Sequence, residues 1–201
     1  MSNINDLTYL LNIHAEEIKK EINTCIPAAV ISFDKDSQLA SLQIGINMVD
    51  NQDNQYKHAP IIACPVFFVG NSNYIIEHEI NEGDEGILVF SQRCMDDWVA
   101  DGGAVNQDVI RFHNINDAMF IPGIRSQKNK IENFENNGIK LRDKDNSNFV
   151  WLRNDGTIII KTNKLIVDGD IINNGINVTQ HDHGQANDSG GNTEQDTGKM
   201  K

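Results

Sequence analysis

Residues 148–180 read NFVWLRNDGTIIIKTNKLIVDGDIINNGINVTQ. Apolar clusters at Ile158 to Ile160, Leu165 to Val167, Ile171 to Ile172 and Ile176 to Val178 alternate with Asn, Asp, Gly and Lys. Strands this short, about three residues each, cannot enclose a hydrophobic core within one chain. They can line a shared interior if identical chains wind about one axis, as repeats do in β-helical stacks. The competing reading, which the pattern favours less, is a tail without fixed structure.

C-terminal to these clusters the chain turns polar, through HDHGQANDSGGNTEQDTGKMK at 181–201. His181 and His183 stand two apart, and in a strand such residues project to the same side. Two imidazoles make a weak metal site, and on spacing alone the pair reads first as solvated side chains of a polar tail. An oligomer that gathered six such nitrogens would suit a six-coordinate first-row divalent ion rather than tetrahedral zinc.

N-terminal to the clusters lies a longer β-type region. Between Ala28 and Phe120, short apolar or alternating runs (AAVISF, LASLQIGINMV, IIACPVFFV, YIIEHEI, ILVFS) are separated by turn segments such as DKDS, DNQDNQ, GNSN and NEGDEG. Several strands at this spacing with little helix between them predict a small barrel of about five strands. The polar stretch after Pro122, IRSQKNKIENFENNG, reads as a linker.

Ahead of the strands, Leu7, Leu11, Ile18 and Ile22 share one helical face, which His14 joins, while Glu16, Glu17, Lys19, Lys20 and Glu21 lie elsewhere. The pattern, running from Ile4 to Ile22, predicts a helix of about five turns that ends near Thr24, ahead of Pro27. Its narrow stripe needs a partner, either the following domain or copies of itself.

Composition narrows the function. The 201 residues carry 29 acidic and 17 basic side chains, a net charge of −12, with 6% aromatic residues. An acidic surface poor in stacking rings disfavours nucleic acid. No apolar block approaches the length of a membrane-spanning helix, and the start of the chain does not read as a secretory signal. Cys25, Cys64 and Cys94 lack CxxC spacing and read as free thiols in a reducing compartment. The acids Asp96, Asp97 and Asp101 in SQRCMDDWVADGGAVN read as solvated loop carboxylates, and no nucleophile elbow, phosphate loop or HExxH motif occurs. The expectation is a protein that is not an enzyme.

The segments PAAVISFDKDSQLASLQI, IIACPVFFVG, EINEGDEGILVFSQRCMDDWVADGG and FHNINDAMFIPGIRSQ, followed by WLRNDGTIIIK, the HDH element and the GNTEQDTG tail, cover nearly the whole chain. Together they resemble the membrane-puncturing central spike proteins of contractile-tailed bacteriophage baseplates. The resemblance implies a mainly β homotrimer with an N-terminal helix (1–25), an OB-fold-type β-barrel (26–125), a linker (126–148), an intertwined trimeric β-helix shaft (149–180) and a metal-binding apex with its tail (181–201). It implies one iron ion per trimer, held by His181 and His183 of three chains. Asp182 replaces the Thr often found between the two histidines and adds three negative charges near that ion. The implied partners are the baseplate hub or tail proteins and the host outer membrane, pierced when the tail contracts, with no nucleic acid; the implied location is the virion, after assembly in the host cytoplasm. The alternative function is a host-surface polysaccharide-binding tail module without a piercing role.

Overall fold

A computed structural model describes residues 2–50 and 52–178. The chain divides into two compact units, one running to Lys130 and the other beginning at Ile131.

The first unit opens with helix α1 (Ser2–Glu21), which stops short of the expected end near Thr24. Strand β1 (Cys25–Asp34) then pairs antiparallel with β2 (Leu39–Ile44) through a register that keeps Ala28, Val30, Ala40, Leu42 and Ile44 buried. The DKDS turn between them is closed by Asp34, whose carboxylate accepts from the Asp36 amide at 3.0 Å and the Ser37 hydroxyl at 2.7 Å. A short hairpin, β3 (Met48–Val49) with β4 (Gln55–Tyr56), precedes β5 (Ile61–Pro65). Another, β6 (Val69–Gly70) with β7 (Ile75–Ile76), precedes β8 (Glu85–Phe90). Helix α2 (Asp96–Asp101) and β9 (Ala118–Pro122) complete the unit.

These strands form one five-stranded sheet in the order β5-β2-β1-β8-β9. In β2 and β8 every second residue is buried, the period-two pattern of a sheet with one face on a core. The sheet curls into a half-barrel, and its two edges touch where Val66 pairs with Phe120 and the Phe67 amide donates to the Phe120 carbonyl at 2.8 Å. Phe120, Leu42 and Leu88 sit fully inside the curl. Gly86 permits this closure, because a Cβ there would lie 2.6 Å from the Phe120 ring.

The second unit holds β10 (Gly138–Arg142), β11 (Phe149–Arg153) and β12 (Ile158–Lys161) in an antiparallel sheet of that order. A small hairpin of β13 (Ile172–Asn173) with β14 (Ile176–Asn177) follows. β10 falls within 126–148, the stretch expected to be a linker. Its GIKLR sequence is too short to announce a strand alone; pairing with β11 makes it one.

Candidate functional site

The three-stranded sheet has two faces of opposite character. Alternation along each strand, combined with the register, aligns Ile139 with Leu152 and Ile158 in one row and Leu141 with Val150 and Ile160 in the next. All six are large, aliphatic and uncovered, with exposures from 45% at Val150 to 68% at Ile139. A layer of secondary structure hydrophobic on one face is stable only when that face packs on another layer. Nothing described in this unit does so. Full burial of a large aliphatic side chain contributes about 1.5–3 kcal/mol. With each of the six already about half covered, closing the face is worth on the order of 5–8 kcal/mol per chain.

The opposite face carries rings and cations, with Trp151 Nε1 and Arg153 Nε buried and without a hydrogen-bond partner. Phe149 and Trp151 meet edge to face with ring centroids 6.2 Å apart. Lys140 Nζ lies over both rings, at 4.1 Å from Phe149 and 4.5 Å from Trp151. Lys161 approaches the Phe149 ring at 5.7 Å and Arg153 the Trp151 ring at 5.1 Å. The result is a ladder of cations and rings, in which Arg153 also pairs with Asp155 at 3.1 Å. Arg142, on the same face, donates to the carbonyls of Glu132, Asn133, Asp143 and Lys144 at 2.7–3.1 Å. The charged face is thus built to meet solvent and the aliphatic face to meet protein.

The clusters beyond β12 behave alike: Leu165, Ile166, Val167, Ile171, Ile172 and Ile176 are all exposed in the single chain. This agrees with the reading that such short clusters cannot make a one-chain core. His181 and His183 lie outside the described residues.

Asp96 and Asp101 face solvent as expected, but Asp96, Asp97 and Asp101 all belong to α2 rather than to a loop, and Asp96 accepts from Arg111 Nη2 at 2.8 Å. The same guanidinium holds Asp117, donating from Nε at 2.7 Å and from Nη2 at 2.8 Å. Asp117 is fully buried and also accepts from the Met95 amide at 2.9 Å. The Arg111 hydrogen bonds, helped by the Met95 amide, hold its carboxyl below the usual carboxylate range against the opposing effect of burial. Cys94, Asp96 and Asp117 present ligand atoms within 4.8 Å of one another. Arg111 already supplies the positive charge that a cation would bring there, so the cluster is an internal brace. Asp117 was not singled out in the sequence because NINDAMF gives no sign that its acid is buried; only the fold brings Arg111 to it.

Of the cysteines, Cys64 is buried and its thiol is pushed up to about 12 by desolvation, leaving it unreactive. Cys94 is half-buried and Cys25 exposed, and all three are free. Among the described residues no helix is long and apolar enough to cross a membrane.

Residues 26–123, the curled sheet with its hairpins and α2, match the family model described as the phage protein Gp138 N-terminal domain. The match covers a little under half of the chain and points to a phage baseplate-type protein. No curated protein matches the chain.

Proposed function

We propose that this chain is the central spike of a contractile phage tail, a homotrimer that pierces the host outer membrane during contraction and acts mechanically rather than as an enzyme. The observation that carries the reading is the uncovered face formed by Ile139, Leu141, Val150, Leu152, Ile158 and Ile160. Three copies arranged about an axis with these faces inward would bury them in a common core and turn the Lys140, Arg153 and Lys161 ladders to the outside. The exposed clusters from Leu165 to Ile176 would continue that core toward the C terminus. The phage baseplate-type domain at 26–123 supports the setting and would attach to the hub or tail proteins.

At the apex, His181 and His183 of three chains would hold one iron ion through six imidazoles, tying together chain ends that otherwise tend to fray. Iron rather than nickel or copper rests on the resemblance and on metal availability, since affinity order alone favours the latter two.

Assembled particles triggered to contract on Gram-negative cells test the function. Leakage of a periplasmic reporter should follow with wild-type spike and fall at least tenfold with a spike truncated after residue 148. Equal leakage from both, together with saturable binding of the isolated spike to host polysaccharide, would transfer the assignment to a polysaccharide-binding tail module.

A further inference from the structure

Helix α1 presents a second uncovered apolar surface, separate from the sheet. Every residue from Leu7 to Ile22 is exposed. An isolated helix of about this length is marginal in water, so most of its stability must come from packing of an apolar face. Leu7, Leu11, His14 and Ile18 follow the alternating four- and three-residue steps of a heptad seam, and Ile4 occupies the preceding step in the sequence. Leu10, Ala15 and Ile22 flank the seam, Glu17 shares the flank of Leu10 and Glu21 takes the step after Ile18, while Glu16 and Lys19, paired at 2.7 Å, lie off it.

The helix stands clear of its own barrel. Its connector is pinned: Asn23 Nδ2 donates to the His113 carbonyl at 2.7 Å, His113 Nδ1 lies 3.2 Å from the Asn23 carbonyl, and the Phe90 amide donates to the Thr24 carbonyl at 2.9 Å. Only three residues separate α1 from β1. With its exit fixed on the sheet, the stripe needs a cover from outside the chain, and the heptad spacing describes that cover as another helix of the same spacing.

We infer that α1 packs in parallel and in register against the α1 helices of the other copies, forming a coiled coil with its seam at Leu7, Leu11, His14 and Ile18. The inference rests on the trimeric reading above and adds to it a second point of association, N-terminal to the barrel. Parallel alignment follows from the cyclic arrangement proposed there, in which all chains run the same way along the axis. Apolar flanks beside the seam widen it beyond a strict two-residue stripe, as a helix touching two neighbours requires. His14 is the one polar residue among the four; a single polar layer lets like meet like and sets the register at some cost in stability.

Cysteine trapping in the full chain tests this. In a Cys25→Ser background, Leu11→Cys and, separately, Ile18→Cys are oxidised and compared with Asn12→Cys, which points away from the seam. The expected result is a covalent dimer at positions 11 and 18, approaching about two thirds of chains because three thiols at one level can form only one disulfide, and at least tenfold less at position 12. The oligomeric state of each reduced variant is measured in parallel. Three chains per particle with equal or absent cross-linking at all positions would overturn this inference and leave the spike reading standing. A monomeric wild-type chain would overturn both.

Discussion

Asp117 and Gly86 show how single residues hold the curled sheet. The buried Asp117 carboxylate is neutralised by Arg111 and fixes the start of α2 through the Met95 amide. Removing one member of such a pair strands the other, though Arg111 keeps Asp96 and some access to water. Asp117→Ala should therefore destabilise the first unit by about 2–3 kcal/mol, below the full value for a wholly buried pair; urea unfolding measures it. The pH dependence has a definite sign. Because the folded pKa is depressed, the contribution is fully present above the unfolded carboxylate value of about 3.9 and is lost as pH falls through the folded pKa. The stability gap between wild type and variant should be constant from pH 7 to 5 and shrink below about pH 4. A gap that widened with acid would contradict the assignment. Gly86→Ala places a methyl against the Phe120 ring and the Ile121 carbonyl, both held by the β8–β9 ladder. It should cost about 1–3 kcal/mol, the usual penalty of overpacking, and a melting temperature unchanged within a degree would show that the sheet can relax there.

Among the elements, the β10–β12 sheet carries the functional argument and was also the least legible from sequence. NFVWLR and TIIIK are readable as strands, but which residues share a face depends on the register, and β10 becomes a strand only through β11. A run of three isoleucines hides the alternation: Ile158 and Ile160 belong to the aliphatic face, while Ile159 lies opposite Trp151. The barrel strands were legible from their boundaries: LASLQI and EGILVF are short apolar or imperfectly alternating runs whose period-two burial appears only in the fold, and the turn NEGDEG carries Gly83 at positive φ. α1 was legible as a helix, and its unmet stripe was legible too; the pinned connector was not, because Asn23 and His113 lie ninety residues apart. Leu152→Arg, at the centre of one aliphatic row, tests the sheet. It should abolish association through the second unit while leaving the urea midpoint of the first unit within experimental error. Loss of structure in both units would show that the face is needed within the single chain.

For the whole molecule, one principle joins the two uncovered surfaces: among the described residues the well-covered core lies inside the curled sheet, and on the proposed reading the remaining apolar surface is covered by copies of the chain. The histidine pair extends that logic to the end of the chain. Elemental analysis of protein purified without a histidine tag or added metal should find about one iron per three chains, and His181→Ala with His183→Ala should remove it. Metal-free protein whose tip resists protease as well as the loaded form would remove the apex from the account. The most direct test of the central claim is the particle mass of the full chain in solution at micromolar concentration, by sedimentation equilibrium. The account predicts three chains per particle with no detectable monomer; a particle of one chain, with the β10–β12 face stable and exposed, would contradict it.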